Sequence, residues 1–166
     1  MSFKDKVIVV TGGAEGLGRT TALQCADVGA KVIVADVNLD GAEDTAKTIT
    51  NGGGIACAIA VDLAREGQVA CLIEQTERTF GRLDILINCA GILLNAGQRV
   101  DQFSSKSWAE VIEVNLSGSF FCVKHAVPLM VKSGGGVLVL LASGAGIFGG
   151  SSSVAYAASK GGVQGI

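Results

Sequence analysis

Short apolar runs alternate with longer amphipathic segments along the 166 residues of this chain. The runs are rich in valine and isoleucine, as expected of strands that are covered on both faces. Glycines follow most of the longer segments, as they do at helix C-termini. The pattern predicts strands at Lys6–Thr11, Lys31–Asp36, Ile55–Asp62, Leu83–Asn88 and Val137–Ser143, and helices at Gly16–Val28, Leu39–Asn51, Arg65–Phe80, Ser104–Val131 and Val154–Ile166.

Strands that alternate with helices in this way predict an α/β fold, a doubly wound parallel sheet of Rossmann type with about five strands. The crossover connections are expected to be right-handed. The chain contains no linker-like stretch, so residues 1–166 are expected to form a single domain. Ser153 is placed to cap the last helix, whose first turns carry Tyr156 and Lys160.

Composition narrows the class of protein. Glycine supplies 24 residues without a Gly-X-Y period, which indicates tight turns and close backbone approaches. The net charge is −2 and no basic run is present, so no nucleic-acid partner is expected. The five cysteines are scattered, which predicts free thiols, no metal site and a reducing, cytoplasmic location. The uncharged stretch between Lys132 and Lys160 is too interrupted to span a bilayer, so a soluble protein without a membrane partner is expected.

A glycine-rich turn follows the first predicted strand and precedes the first helix. Its sequence is Thr11-Gly12-Gly13-Ala14-Glu15-Gly16-Leu17-Gly18. Free backbone N–H groups and the helix dipole at such a turn attract a pyrophosphate, and side chains at the glycines would block its approach. The spacing alone also fits a structural turn. Because a buried strand leads into it, we interpret the turn as a dinucleotide site that includes Gly12, Gly16, Leu17 and Gly18.

Asp36 ends the second predicted strand, eighteen residues after Gly18. A carboxylate there can accept hydrogen bonds from both hydroxyls of an adenosine ribose, and it would repel a 2′-phosphate. Neither Glu15 nor the residues just after Asp36 supply an arginine or lysine for such a phosphate. The sequence therefore predicts NAD rather than NADP, with a strand-end or helix-capping aspartate as the alternative.

Tyr156 and Lys160 are four residues apart and share one face of the last predicted helix. A free phenol has a pKa of about 10, and a neighbouring ammonium favours its ionised form. Ser143, at the end of the fifth strand, could hydrogen-bond a substrate carbonyl. A Tyr-x-x-x-Lys pair alone is often an ordinary surface pair, but together with Ser143 and the glycine turn it predicts an acid–base site.

These motifs, in this order, resemble those of the short-chain dehydrogenase/reductase family from about Lys4 to the last residue. Asn88-Cys89-Ala90-Gly91 is similar to the family's Asn-Asn-Ala-Gly, with cysteine at the second position. The resemblance implies a catalytic set of Asn115, Ser143, Tyr156 and Lys160. It also implies cofactor contacts from Asp62, Leu63, Asn88, Ala90, Gly91, Tyr156 and Lys160, in addition to the glycine turn and Asp36.

The function implied by the resemblance is hydride transfer between the nicotinamide of NAD and a secondary alcohol or ketone. Tyr156 would serve as the general acid/base, Lys160 would also bind the nicotinamide ribose, and Asn115 would hold a water behind Lys160. The family also implies a homo-oligomer, a dimer or tetramer, formed through the Ser104–Val131 and Val154–Ile166 helices.

Family members continue beyond Ile166 with strands that hold the nicotinamide and a segment that covers the substrate. A domain incomplete at its C-terminus is therefore expected, with the fifth strand as an exposed edge. A non-catalytic dinucleotide-binding fragment, or a cofactor-responsive interaction module, is the alternative function. The identity of the alcohol or ketone cannot be predicted, because the segment that selects it is absent.

Several other residues are expected to be structural. His125 has no partners at the spacing of a catalytic triad or a metal site, and Asp84 is interpreted as a strand-start residue. The aromatic residues of the long helix are expected to pack in the core; they are Trp108, Phe120 and Phe121.

Overall fold

A five-stranded parallel sheet forms the centre of the computed structural model, which describes residues 3–148 and 153–166. The strands lie in the order β3-β2-β1-β4-β5 and span Val7–Thr11 (β1), Lys31–Asp36 (β2), Ile55–Ala60 (β3), Ile85–Asn88 (β4) and Val137–Leu140 (β5). The helices span Gly16–Asp27 (α1), Leu39–Asn51 (α2), Glu66–Phe80 (α3), Ser105–Ile112 (α4), Gly118–Lys132 (α5), Ala145–Phe148 (α6) and Val154–Val163 (α7). The predicted fold class is confirmed.

Both faces of the sheet are covered, as the apolar runs predict. Alternate residues of a strand point to opposite faces. Ile8 and Val10 of β1 pack under α1 and α2, with α1 contributing Ala22 and α2 contributing Ile49. Val9 faces the other way, into a core built with α3 and α5 by residues that include Val69, Leu72, Cys122 and Ala126. Full burial of one such aliphatic side chain contributes about 1.5–3 kcal/mol, so the two layers hold β1 firmly in the centre.

The sheet is tied together at its amino end by Asp84, which is 5% exposed. Its carboxylate accepts the N–H of Val7 at 3.0 Å and pairs with Lys6 and Arg82 at 2.9 and 2.6 Å. Burial alone would raise the pKa of Asp84, but the hydrogen bonds from Arg82, Val7 and Lys6 outweigh it and lower the pKa to about 2. Asp84 therefore joins β1 to β4 as a structural residue.

The predicted helix Ser104–Val131 is interrupted. A π-turn at Glu113–Ser117 separates α4 from α5, and the N–H of Gly118 bonds to the carbonyl of Glu113, five residues earlier. The last helix ends at Val163 rather than Ile166, after two glycines with low helix propensity. The third, fourth and fifth strands are shorter than predicted, because the chain leaves the sheet early to form the loops at either end.

The helical stretch Ser105–Lys132 meets the length and composition criteria for a membrane span, with a mean hydropathy of 1.2. Part of this apolar content faces the sheet, where the stretch contributes Cys122, Ala126, Leu129 and Met130 to the core. Packing against the sheet accounts for these residues, since the core helix of a water-soluble domain meets the same criteria.

Of the aromatic residues, Phe121 packs against the core. Trp108 and Phe120 are 41% and 49% exposed, so they are only partly buried, and the Phe120 ring centroid lies 5.8 Å from that of Phe121. Consecutive residues of a helix point about 100° apart, so the inward position of Phe121 turns Phe120 towards the surface.

The fifth strand has an open edge, as predicted. In the described part of the chain β5 pairs with β4 alone, and Val137 and Val139 are largely exposed.

Candidate functional site

The predicted site residues follow the carboxyl ends of neighbouring parallel strands. Gly12 follows β1, Asp62 follows β3 and Asn88 ends β4, while Asp36 ends β2 and Ser143 comes soon after β5. The chain passes from β1 to β2 on one side, and β4 lies on the other side of β1. A sheet with this topology opens a crevice at the point where the strand order reverses, and ligands of such folds bind there.

The glycine turn packs against backbone too tightly for side chains at Gly12 and Gly18. Gly12 has φ +66°, and a Cβ there would lie 2.8 Å from the backbone nitrogen of Ala90. A Cβ on Gly18 would overlap the carbonyl oxygen of Gly12. Gly16 has φ +53°, and a Cβ there would meet nothing within 4 Å, so this side of the turn is open. The turn thus presents bare backbone to the crevice.

The first turn of α1 lacks a side-chain cap. Glu15 occupies the N-cap position, but its side chain accepts no hydrogen bond from the helix, and the Leu17 side chain is largely exposed. Backbone N–H groups at an uncapped helix start require an acceptor from water or a ligand, and the helix dipole favours an anion. These residues fit the pyrophosphate of a dinucleotide.

Asp36 is held beside the glycine turn. Its two carboxylate oxygens accept the N–H groups of Ala14 and Asn38 at 3.0 and 2.9 Å. The helix-capping alternative is wrong for Asp36, because Asn38 caps α2 by accepting the N–H of Gly41 at 3.1 Å. Each carboxylate oxygen keeps a lone pair for a further donor. Asp36 can therefore accept hydrogen bonds from ribose hydroxyls while it stays oriented by the backbone.

Asp62 and Leu63 form a fixed loop after β3. Asp62 Oδ1 accepts the N–H of Ala64 at 3.0 Å, and the N–H of Asp62 donates to Gln68 Oε1 at 2.8 Å. Leu63 is buried against α5, where a Cβ on Gly118 would lie 2.7 Å from the Leu63 Cβ. The half-exposed carboxylate of Asp62 is thereby held at the site end of the sheet.

The segment after β4 contacts the glycine turn directly. Asn88 is buried, accepts a hydrogen bond from Thr11 Oγ1 and donates to Ser119 Oγ at 2.8 Å. The N–H of Ala90 donates to the same Thr11 hydroxyl at 3.3 Å. Cys89 replaces an asparagine of the family motif without disturbing this arrangement. Burial raises the pKa of the Cys89 thiol, and smaller effects of Thr21 and Lys160 oppose it, so the thiol is neutral at pH 7.

Lys160 is a buried lysine, 6% exposed, on the second turn of α7. Its Nζ donates to the carbonyl of Leu141 at 2.6 Å and lies 5.7 Å from the ring centroid of Tyr156. Burial lowers the pKa of Lys160, and the nearby Cys89 opposes this effect. Gly91 lies beside the ammonium, because a Cβ there would be in van der Waals contact with Lys160 Nζ at 3.5 Å. The structure thus brings Tyr156, Lys160 and the segment after β4 together.

Ser153 caps α7 as predicted, by accepting the N–H of Tyr156 at 3.2 Å.

Ser143 lies partly exposed beyond the end of β5, and its Oγ accepts the N–H of Ala145 at 3.2 Å. The Ser143 hydroxyl can still donate one hydrogen bond. The short helix α6 then packs against α7 so closely that a Cβ on Gly146 would overlap the backbone of Gly161.

Asn115 lies in the π-turn and is fully buried. Its Nδ2 donates to the carbonyl of Ile92 at 2.9 Å and to Ser159 Oγ at 3.1 Å, and its Oδ1 accepts the N–H of Ile92 at 2.8 Å. The structure places Asn115 beside Gly91, whose Cβ would lie 3.3 Å from Oδ1. Both ends of the Asn115 side-chain amide are thus hydrogen-bonded to protein atoms. That Asn115 holds a water behind Lys160 stays a prediction.

His125 of α5, which was predicted to be structural, pairs with a side chain of another helix. His125 Nε2 lies 3.1 Å from Glu66 Oε1, a pairing between α5 and the start of α3. Among residues 3–148 and 153–166, no three His, Cys, Asp or Glu side chains are grouped to hold a metal ion.

Comparison with known families decides what this arrangement is. The sequence profile of short chain dehydrogenases matches residues 6–166. The chain belongs to the short chain dehydrogenase family. The glycine turn, the Asn88–Gly91 segment and the Tyr156–Lys160 pair all lie within the matched residues.

Individual short chain dehydrogenases and their relatives cover nearly the whole chain. It is 36% identical to cyclohexanol dehydrogenase of Acinetobacter sp. (strain SE19) over 99% of its length, and 39% identical to tropinone reductase-like 2 of Erythroxylum coca, also over 99%. The chain spans 65% and 59% of those relatives. The crystal structure of levodione reductase superposes with a TM-score of 0.94 at 33% identity, over 98% of this chain and 64% of that one.

Two sets of residues support this short chain dehydrogenase site without having been predicted. Gly146 and Gly161 let α6 cross α7 closely, and Ser119 and Ser159 hydrogen-bond to Asn88 and Asn115. A small residue on a helix is a weak signal, because serine and glycine are equally common on exposed faces. Their partners are remote in sequence, so only the folded arrangement identifies them.

Proposed function

We propose that the chain carries the cofactor site and catalytic residues of an NAD-dependent oxidoreductase that transfers a hydride between nicotinamide and a secondary alcohol or ketone. The observation that carries this proposal is the buried ammonium of Lys160, 5.7 Å from the Tyr156 ring centroid and beside the segment that contacts the glycine turn. The names of the dehydrogenase and reductase relatives support the reaction class.

Tyr156 is the proposed general acid/base, which takes a proton from the alcohol oxygen or returns one to the carbonyl oxygen. Lys160 stabilises the phenolate by its charge, an effect strengthened by its burial. The free hydroxyl of Ser143 donates a hydrogen bond to the same substrate oxygen. Asn115 holds the loop of Ile92 against α7. When bound, the nicotinamide supplies the hydride acceptor or donor.

The proposed cofactor is NAD. Asp36 carries a negative charge at the position where a 2′-phosphate would lie, and its orientation is set by two backbone N–H groups. Phosphate oxygens there would meet a carboxylate in place of an arginine or lysine. The rest of the cofactor would contact the glycine turn and the loops after β3 and β4, with Lys160 at the nicotinamide ribose.

The test is NADH formation with a panel of secondary alcohols, and the reverse reaction with ketones. The enzyme is used at concentrations comparable to the cofactor, because slow turnover is expected from the 166-residue chain alone. Tyr156→Phe should abolish most of the activity and leave NAD binding nearly unchanged, since the ring still packs but the phenolic proton is lost. Lys160→Met should weaken both, while Lys124→Met, at an exposed lysine of α5, should change neither.

Retention of activity in Tyr156→Phe would show that another group transfers the proton. The alternative function is a non-catalytic dinucleotide-binding module, which would need the glycine turn and Asp36 but no proton transfer by Tyr156. Binding of NAD without turnover by the unmutated chain, across the whole panel, would support that alternative.

We also propose that the protein is a cytoplasmic homo-oligomer, a dimer or tetramer. The exposed apolar side chains on the outer face of α4 and α5 support this proposal; they include Trp108, Phe120, Val127 and Val131. A sedimentation measurement that finds only monomers at high concentration would contradict it.

A further inference from the structure

A chain of hydrogen bonds between buried side chains starts at the glycine turn. Thr11 Oγ1 donates to Asn88 Oδ1, and Asn88 Nδ2 donates to Ser119 Oγ at 2.8 Å. Ser119 Oγ donates in turn to the backbone carbonyl of Asn115 at 2.6 Å. All four residues are at most 2% exposed. The chain therefore passes from β1 through β4 and α5 to the π-turn without reaching the surface.

The same chain continues to the catalytic helix. Asn115 Nδ2 donates to Ser159 Oγ at 3.1 Å, and Ser159 Oγ donates to the carbonyl of Tyr156 at 2.8 Å. Ser159 is fully buried and directly precedes Lys160. The last link of the chain is thus the peptide unit of Tyr156 itself.

Only one arrangement of protons satisfies these bonds. The Ser119 hydroxyl accepts from Asn88 and donates to Asn115, and the Ser159 hydroxyl accepts from Asn115 and donates to Tyr156. Amide N–H groups only donate and carbonyls only accept, so the direction of every bond is set. Fully satisfied buried networks make the surrounding structure rigid, and loss of one hydroxyl leaves a buried partner unpaired.

Ser119 also has a local effect on the helix. A serine hydroxyl that bonds to the carbonyl four residues earlier competes with the backbone N–H and bends a helix. Here the carbonyl is that of Asn115, within the π-turn, where the N–H of Gly118 bonds to the carbonyl of Glu113. The Ser119 hydroxyl is therefore bonded to the same turn that carries the side chain of Asn115.

We propose that Ser119 and Ser159 are positioning residues, whose hydroxyls set the place of Tyr156 and Lys160 relative to the glycine turn. This inference rests on the proposed function, in which the proton donor and the hydride site must be correctly spaced. Misplacement of reacting groups by about 1 Å can cost on the order of a hundredfold in rate.

The kinetic test compares Ser159→Ala and Ser119→Ala with Ser133→Ala. Ser133 is a matched control, because its Oγ makes the same kind of bond, to the carbonyl of Leu129 at 2.7 Å, at the far end of α5. We expect Ser159→Ala and Ser119→Ala to lower kcat by about tenfold or more, with the dissociation constant of NADH changed by no more than about twofold. Ser133→Ala should leave kcat within about twofold of the unmutated value. Equal losses in all three variants, or no loss in Ser159→Ala, would overturn the inference.

A second test does not depend on turnover. In amide NMR spectra of the 166-residue chain, Ser119→Ala should shift the signals of Ile92 and of Tyr156 to Lys160, which lie on other elements. Ser133→Ala should shift only signals around Leu129 and its partner Leu83. Shifts of Ser119→Ala confined to α5 and the π-turn would overturn the network, and if that variant does not fold, Ser159→Ala decides by whether Ile92 shifts. An inactive unmutated chain with the expected shifts would instead contradict only the proposed function.

Discussion

Asp84 and Asp101 form the same ion pair in different surroundings. Each carboxylate binds the guanidinium of the arginine two residues earlier through two hydrogen bonds, Arg82 at 2.8 and 2.6 Å and Arg99 at 2.9 and 3.2 Å. Asp84 is buried and also accepts the N–H of Val7, whereas the Asp101 side chain is 58% exposed. Exposed ion pairs contribute little to stability. Comparison of Asp84 with Asp101 therefore separates the effect of burial on stability from that of ion pairing.

Asp84 should make stability depend on pH in the acid range. Its folded pKa of about 2 lies below the unfolded value, so its contribution is fully present above the unfolded pKa and is lost as the pH falls towards 2. The contribution is up to about 2 kcal/mol. Urea unfolding at several pH values between 7 and 2 should show this loss in the unmutated chain and not in Asp84→Asn. Asp101→Asn should leave the pH profile nearly unchanged, and a profile of Asp84→Asn that matches the unmutated chain would refute the assignment.

At the residue scale, the sequence predicted candidate site residues but not the residues that hold them in place. Their roles in the site stay predictions, but Gly12, Asp36 and Lys160 were predicted as candidates from local spacing along the chain. The partners of Asn115 were not, because Ile92 and Ser159 are 23 and 44 residues away. The partial exposure of Trp108 was not predicted for a related reason, since apolar character alone does not tell which face of a helix meets the sheet.

The glycine turn shows at the element scale why a strand and a helix meet where they do. Gly18 is the third residue of α1 and lies against the carbonyl of Gly12, so the helix can begin directly over the end of β1. Gly67 is also near the start of a helix, α3, but a Cβ there would meet nothing within 4 Å. Only the first glycine is required by packing.

Gly18→Ala should destabilise the chain by about 1–3 kcal/mol, because the methyl group overlaps backbone that cannot move freely. It should also weaken NAD binding, since the turn must open to admit the methyl group. Gly67→Ala should be neutral or stabilising by up to about 1 kcal/mol, because alanine favours the helix. Urea unfolding and NAD titration of both variants measure these effects. A Gly18→Ala variant as stable as Gly67→Ala would contradict the close packing of the turn.

At the same scale, the order and type of elements were predictable and the π-turn was not. Apolar runs and helical segments repeat along the chain with clear glycine boundaries, which is why β2 and α2 were predicted to the residue. The hydrophobic period of the predicted Ser104–Val131 helix contains no mark of the added residue at Glu113–Ser117. In that turn Asn115 bonds to Ile92 and to Ser119, and these residues come together only in the folded protein.

Across the whole molecule, the predicted site residues are spread along one end of the sheet. The glycine turn, Asp36 and Asp62 lie at the ends of β1, β2 and β3, whereas Ser143 follows β5 and Tyr156 lies on α7. Among the described residues, both outer strands, β3 and β5, are paired on one side only. The type and order of the elements were predictable from their alternation along the chain and from the family resemblance. Neither of these tells which side chains lie beside the outer edge of β5.

This arrangement predicts which part of the cofactor the chain binds. Adenosine diphosphate ribose should bind the 166-residue chain about as tightly as NAD, because the contacts proposed for the glycine turn, Asp36 and Asp62 are all to the adenosine and pyrophosphate. Competitive calorimetric titration of the two ligands measures the difference. NAD binding that is tighter by about tenfold or more, equivalent to 1.4 kcal/mol, would show that residues of this chain also grip the nicotinamide.

The central claim is that these residues form an NAD site, and calorimetric titration of the unmutated chain with NAD and NADP tests it most directly. We expect one site per chain and NAD affinity higher than NADP affinity by about tenfold or more, equivalent to at least 1.4 kcal/mol. Asp36→Ala should narrow that difference, because it removes the carboxylate that repels the 2′-phosphate. Equal or reversed preference in the unmutated chain, or no binding of either nucleotide to the folded chain, would contradict the account.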